Sequence, residues 1–207
     1  MAAGKVITGY SLPYVALYAN SSGTVSYSSG QRLARGVDVS IEAESADDNK
    51  FYADNRVAES DSGVFKSGSV KLTVDGLKNT AEKLIMGLPT PTSTTVGTST
   101  VNVYHYGDDV SVPYVGIGFI IQLMEEGEVS YRPFVLPKCQ FKNSAVNAKT
   151  KGEQIEWQTQ ELNATILRSD ATGHDWKLIG EDQDTEAEAE AVVKALLGIT
   201  STQGGSV

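Results

Sequence analysis

Hydrophobic and polar residues alternate strictly along several segments of the chain. Residues 37–44 place an apolar side chain at every second position, and residues 70–75 repeat the pattern. A period of two predicts β-strands with one face in the core and the other in water. The polar residues 45–63 lie between these strands, and we expect a long loop with a brief strand near residues 50–53.

Residues 114–124 are apolar on both faces of a predicted strand. Such a strand is buried on both sides, so we expect a helix or a neighbouring subunit to cover its second face. The acidic and glycine-containing turn at residues 125–128 is followed by an apolar return strand at residues 129–136. This order predicts a β-hairpin.

Residues 151–167 predict another long strand, but the apolar positions change parity within it. Ile155 and Trp157 are apolar at odd positions, whereas the pattern from Leu162 onward follows even positions. Because a strand cannot change face without an extra residue or a break, we expect a bulge or bend between residues 159 and 162.

Two helices are predicted. Residues 77–85 carry one apolar stripe and are followed by Gly87, a typical helix terminator. Near the end of the chain, Thr185 and Glu188 have the spacing of a capping box. An apolar stripe follows and ends before Gly198, and its members are Val192, Val193, Leu196 and Leu197.

The predicted fold class is mainly β (α+β), with residues 1–198 as a single domain. A last short strand is expected at residues 176–179. Residues 89–100 are nearly all Thr, Ser, Pro and Gly, which predicts a mobile surface loop. Residues 199–207 are expected to form a flexible C-terminal tail.

The charge balance argues against a protein that grips DNA or an anionic membrane. The chain has 26 acidic and 17 basic residues and a net charge of −9, without a basic run. Nucleic-acid binding depends on clustered Lys and Arg that neutralise phosphates. With one cysteine and no signal-peptide pattern at its start, the chain is expected to fold in a cytoplasm.

The residues that carry chemistry lack partners at useful spacing. His105 and His174 have no nearby Cys, His or Asp in a ligand pattern. Cys139 follows Lys138, which would suit a nucleophile, but its alternation with the apolar positions favours a core site. The acidic residues 181–184 lack the glycine and the twelfth ligand of a calcium loop. We expect no enzyme and no catalytic, cofactor or metal site.

Four segments, in this order and spacing, resemble the major tail protein of long, non-contractile-tailed bacteriophages (siphophages). They are KFYADN at 50–55, VPYVGIGF at 112–119, YRPFVLPKCQF at 131–141 and TKGEQIEWQT at 150–159. The resemblance covers roughly residues 5–180. The C-terminus departs from family members that carry an extra immunoglobulin-like domain.

The resemblance implies a β-sandwich or barrel-like tail tube fold with one flanking helix and a C-terminal helix. It implies self-assembly into stacked, hexameric rings that form a tail tube, a conduit for DNA ejection into the host. The expected partners are copies of the chain itself, the tape-measure protein, the tail terminator and baseplate or initiator proteins. No cofactor or membrane contact is implied, and the expected location is the virion tail, after assembly in the host bacterial cytoplasm.

An acidic lumen would let DNA pass without phosphate binding. The candidate lumen-facing residues are Asp38, Ser40, Glu42, Glu153 and Glu156. The alternative is that these side chains only form the outer face of a sheet. We also expect residues 45–63, residues 89–100 and the C-terminal tail to become ordered when rings stack.

Three other functions remain open from the residues alone. One is a different virion component, such as a tail terminator or baseplate ring protein, which would form one ring. Another is a surface- or carbohydrate-binding β-sandwich, whose signature would be exposed aromatic side chains. The chain has two tryptophans, one of them expected in a strand face. The third is an enzyme whose site the sequence does not reveal.

Overall fold

The part of the chain that the structure describes forms a large antiparallel β-sheet, two separate hairpins and two helices. A computed structural model describes residues 4–47, 49–53, 55–61, 64–143, 146–151 and 156–199. The elements are β1 Val6–Ser21, β2 Thr24–Arg32, β3 Gly36–Ser45, β4 Asn49–Ala53, β5 Arg56–Asp61, β6 Phe65–Val74, α1 Asn79–Met86, β7 Thr92–Val96, β8 Ser99–Val103, β9 Tyr114–Glu125, β10 Glu128–Phe141, β11 Gln160–Leu167, β12 Leu178–Ile179 and α2 Glu186–Leu196.

The large sheet has the strand order β2-β1-β9-β10-β11-β6-β3, and β12 pairs with β10. Strands far apart in this order contribute to one core, because Val15 of β1 and Leu72 of β6 are both buried in it. At the start of β3, Gly36 also lies against the Tyr10 ring of β1. The sheet therefore curves around its core, in agreement with a mainly β, α+β fold.

The alternation predicted for β6 is confirmed. Val70, Leu72 and Val74 are fully buried, and α1 closes the same core through Ala81 and Ile85. In β3 the pattern holds less well. Val39 and Ile41 are half-buried, whereas Val37 is exposed and Ala43 is also exposed, because β3 lies at the edge of the sheet and has a bulge at its start.

β9 is buried on both faces, as expected. One face points into the main core, and α2 covers the other. Gly116 and Gly118 lie under this helix, in contact distance of Leu197 and Val193. The second, smaller core also includes Ile120 of β9. The second face of β9 is therefore covered by a helix of the same chain, which is one of the two alternatives expected from the sequence.

The turn between β9 and β10 confirms the predicted hairpin. Glu126 and Gly127 both have positive φ angles, 51° and 94°. Two consecutive residues in this region form a type I′ turn, whose twist matches that of antiparallel strands.

The C-terminal helix begins with the predicted capping box. The side chain of Thr185 accepts a hydrogen bond from the Glu188 amide, and the Glu188 carboxylate accepts one from the Thr185 amide. Val193 and Leu197 of the predicted apolar stripe are fully buried, whereas Leu196 is 39% exposed. Ala189, which was not predicted, is buried with them.

Two segments predicted mainly as loops contain regular hairpins. β4 and β5 pair within residues 45–63, and β4 (Asn49–Ala53) confirms the brief strand expected near residues 50–53. β7 and β8 pair over residues 92–103 and so include most of the loop predicted at residues 89–100. Asn55, with φ of 61°, and Gly97, with φ of 62°, occupy left-handed positions at the turns. The many Thr and Val residues of the second hairpin favour extended backbone, so its composition is typical of strands as well as of loops.

The long strand predicted for residues 151–167 is shorter in the structure. β11 begins at Gln160, and residues 156–159 form no strand. The change of apolar parity thus marks the start of the strand. Trp157 is 88% exposed and does not lie in a strand face. Residues 152–155 lie outside the described part of the chain.

The predicted flexible tail does not begin at Ile199. The Ile199 amide donates a 2.8 Å hydrogen bond to the Lys194 carbonyl, and its side chain packs in the small core beside Gly30. Residues 200–207 lie outside the described part of the chain.

Candidate functional site

The outward side chains of β3, β6 and β11 form one continuous polar surface, which we call the polar face. Its rows follow from the register. Asp38 lies opposite Thr73, which lies opposite Glu161 on the far strand. The neighbouring outward residues are Ser40, Glu42 and Glu44 of β3, Ser67, Ser69 and Lys71 of β6, and Asn163 and Thr165 of β11.

The opposite side of the same three strands is apolar. Leu72 and Leu162 are directly paired and are both fully buried. Because successive side chains of a strand point to opposite faces, this packing forces Lys71, Glu161 and Asn163 into solvent. The core therefore fixes the orientation of the polar face.

The polar face is acidic. It carries the four carboxylates of Asp38, Glu42, Glu44 and Glu161 and the ammonium group of Lys71, and Lys66 is exposed at the start of β6. Lys71 and Glu161 are 2.7 Å apart. The hydrogen bond to Lys71 lowers the pKa of Glu161, and the same contact raises the pKa of Lys71. Both side chains are exposed, so solvent screens this pair and the face keeps an excess of negative charge.

The polar face ends at an open strand edge. Among the described residues, β3 pairs with β6 on one side and with no strand of the main sheet on the other, although Gly36 at its start lies against the Tyr10 ring of β1. β2 has the same position at the other end. Unpaired amide and carbonyl groups along such edges can pair with a strand of another chain.

The structure brings three of the five predicted lumen residues together. Asp38, Ser40 and Glu42 are exposed on the polar face. Glu156 is instead in the irregular segment before β11, where it forms an exposed ion pair of 2.9 Å with Lys149. Glu153 lies outside the described residues.

Three charged residues of the polar face were not among the predicted lumen residues: Glu44, Lys71 and Glu161. The alternation of residues 37–44 and 70–75 already placed Glu44 and Lys71 on the side that faces water, and both are exposed. The position of Glu161 beside Lys71 could not be predicted, because it depends on the pairing of β6 with β11, which are about ninety residues apart in the chain.

The residues considered for catalysis are in structural positions. Cys139 is fully buried in the main core, and this burial raises the pKa of its thiol. The His174 ring contacts the carbonyl of Ser169 at 3.0 Å, in the turn before β12. His105 lies just after β8, and its Nε2 is 2.7 Å from the Thr92 hydroxyl.

Asp182, in the acidic segment before α2, is neutralised by cations of the chain itself. Asp182 accepts two hydrogen bonds from Arg132, at 2.5 and 2.9 Å, and one of 2.6 Å from Lys5. The Arg132 guanidinium, with help from Lys5, lowers the pKa of Asp182 to about 2. Within the part of the chain that the structure describes, no group of three or more His, Cys, Asp or Glu side chains is arranged to hold a metal ion.

Neither helix in the described ranges is long and apolar enough to span a membrane. The chain matches no protein-family model, and its sequence matches no curated protein at a significant level. The function proposed below therefore depends on the resemblance of four sequence segments and on the geometry of the sheet.

Proposed function

We propose that this chain is a structural virion protein, the subunit of a siphophage tail tube, and that its role is assembly rather than catalysis. The observation that carries the proposal is the acidic polar face of β3, β6 and β11, which ends at an unpaired strand edge. A sheet of this kind can be continued by a second copy, and its polar face can then line a water-filled channel.

The open edges support assembly into a closed ring. A long exposed edge is a risk for uncontrolled aggregation unless it is covered. Joining β3 of one copy to a neighbouring copy covers that edge, and repetition around an axis leaves no edge free. Rings of this kind, hexameric in the resembling family, would then stack into the tube.

The charge of the polar face supports a DNA conduit. Asp38, Glu42, Glu44 and Glu161 would present carboxylates to the lumen. Phosphates are repelled by such a wall, so DNA passes without the counterion release that drives tight binding. In this proposal DNA passes through the lumen without being bound by the protein.

The β4–β5 hairpin supports stacking of rings. It extends from adjacent positions of β3 and β6, since the Ala46 amide donates a 2.8 Å hydrogen bond to the Val64 carbonyl at its base. A hairpin that leaves the sheet in this way can reach a neighbouring ring. The other partners of the assembly would be the tape-measure protein inside the tube, the tail terminator at one end, and baseplate or initiator proteins at the other.

Exposed aromatic side chains are typical of carbohydrate-binding proteins, and Trp157 was expected in a strand face. Because Trp157 is exposed instead, its position no longer argues against carbohydrate binding. Sugar-binding surfaces, however, place aromatic rings next to convergent polar groups in a concavity. Trp157 lies in the irregular segment before β11 rather than on the sheet. The acidic polar face and open edges favour assembly over sugar binding.

Sedimentation velocity of the purified chain over a wide concentration range tests the proposal. We expect a shift from monomer to species of many copies as concentration rises. A chain that sediments as a monomer at every concentration, also after addition of tail partners, would contradict it.

A further inference from the structure

One face of the hairpin β7–β8 carries all three of its valines. In its register Thr94 lies opposite Val101, and Thr92 lies opposite Val103. Side chains of directly paired residues point to the same side of a hairpin. Val96 and its partner Ser99 belong to this side too, so three valines, two threonines and one serine form what we call the valine face.

The other side of the hairpin is polar. Ser93 lies opposite Asn102, and the Ser93 hydroxyl donates a 3.0 Å hydrogen bond to the Asn102 side chain. Thr95 and Thr100 form the next pair on this side. The hairpin is thus amphipathic in the way of a strand pair that packs on a partner.

The valine face is uncovered in the single chain. Every residue of β7 and β8 is exposed, and Val96, Val101 and Val103 are 63%, 48% and 40% exposed. A two-stranded hairpin without a packed face is only marginally stable in water. A surface that covers the valine face would therefore stabilise the hairpin as well as bind it.

Charge favours a second copy of this chain as the partner. Residues 89–107 contain no Asp, Glu, Lys or Arg, although the whole chain has a net charge of −9. Two copies repel each other through their carboxylates, so a contact between them is least opposed where the surface is neutral. A strongly charged partner would find no complementary charge on this hairpin.

The same chain offers an apolar groove of suitable chemistry. Leu17 of β1, Leu84 and Leu88 at α1, and Pro113 before β9 line it, and Lys83 is its only charged lining residue. Each copy carries one hairpin and one groove. A hairpin that enters the groove of the next copy makes a head-to-tail contact, and such contacts close into rings when the rotation permits.

We propose that the valine face of β7–β8 docks into the Leu17–Leu84–Leu88–Pro113 groove of a neighbouring copy. This inference rests on the proposed self-assembly and adds a specific contact to it. The contact is separate from the strand edges and from the acidic polar face.

The first test is the variant Val101→Lys, which places a charge on the valine face, compared with Thr95→Lys on the polar side of the same hairpin. Both positions are exposed, so both variants should keep the wild-type melting temperature. By sedimentation, we expect Val101→Lys to lower the self-association constant at least tenfold and Thr95→Lys to change it less than threefold.

The second test is a disulfide cross-link between copies. Cys139 is buried and does not compete. Chains carrying Val101→Cys together with Leu84→Cys should form covalent multimers under mild oxidation, and chains with Thr95→Cys and Leu84→Cys should form several-fold fewer.

The outcomes separate this inference from the proposed function. If the wild type assembles and Val101→Lys assembles equally well, the hairpin contact is wrong while the tube proposal stands. Failure of the Val101→Cys pair to cross-link above its control in assembled protein likewise overturns the groove as the acceptor. A wild-type chain that never self-associates overturns both.

Discussion

Gly118 of β9 lies directly beneath Val193 of α2. A Cβ built on this glycine would be 2.6 Å from Cγ1 of Val193 and 2.9 Å from Cδ1 of Leu197. Real Cβ atoms essentially never approach a neighbour this closely, so the helix rests on the sheet only because position 118 has no side chain. The two-faced strand and the amphipathic helix depend on each other at this point.

Replacing Gly118 with alanine should therefore push α2 away from the sheet. Overpacking of this kind costs about 1–3 kcal/mol, and we expect the free energy of unfolding to fall by that amount. Urea unfolding followed by circular dichroism measures it. The matched control is Gly107→Ala, because a Cβ at position 107 meets no atom within 4 Å. Equal stability of the two variants would contradict the packing described for α2.

Asp182 should make stability depend on acid pH. Its pKa is lowered to about 2 in the folded chain, chiefly by Arg132, which is below the usual value in an unfolded chain. The stabilisation is therefore complete above about pH 4 and is lost as the pH falls through about 2.

The variant Asp182→Asn tests this dependence. Because the Asp182 side chain is partly open to solvent, we expect a loss of about 1 kcal/mol at pH 7 and almost none near pH 2. Unfolding in urea at both pH values measures the difference. Asp109→Asn, in an exposed loop, is the control and should match the wild type at both. An equal deficit of Asp182→Asn at the two pH values would mean that its role is not electrostatic.

Local alternation accounts for what could be predicted of the fold. It identified β6 and both faces of β9, because alternation with a period of two can be recognised from a few consecutive residues. Residues 6–32 carried no strand prediction, although they form β1 and β2. The register of β1 shifts near Gly9 and again between Ser11 and Tyr14, where Leu12 has φ of 51°, so its pattern is broken.

The part of the candidate site that depends on local alternation was also predictable from the sequence. Asp38, Ser40 and Glu42 alternate with apolar residues and were found. Glu161 entered the polar face only through the pairing of β6 with β11, which depends on the path of the whole chain. The hairpin β7–β8 was missed because Thr, Ser and Gly are frequent both in loops and in the strands and turn of a short hairpin.

Charge reversal on the polar face tests the assignment of the lumen. Asp38→Lys combined with Glu42→Lys should leave tube assembly intact, since both side chains are exposed on the side opposite the core. DNA ejection from particles carrying these tubes should be slowed or blocked, because the lysines bind phosphates. Ejection measured by fluorescence of released DNA is the readout. Asp109→Lys is the control, and normal ejection from the double variant would place these residues outside the lumen.

Removing the β4–β5 hairpin tests its role in stacking. The Ala46–Val64 hydrogen bond closes its base, so residues 47–63 can be replaced by a short turn without parting β3 from β6. We expect a folded chain whose melting temperature is close to that of the wild type but which forms no long tubes. Light scattering at rising concentration follows the polymerisation. Tubes of ordinary length from this variant would remove the hairpin from the stacking contact.

Electron microscopy of the concentrated, negatively stained protein tests the central claim most directly, because it shows whether copies of the chain assemble into rings and tubes. The account predicts long hollow tubes built from stacked rings of one diameter. Single rings that never stack would point to a terminator or baseplate protein, and isolated monomers at every concentration would contradict self-assembly altogether.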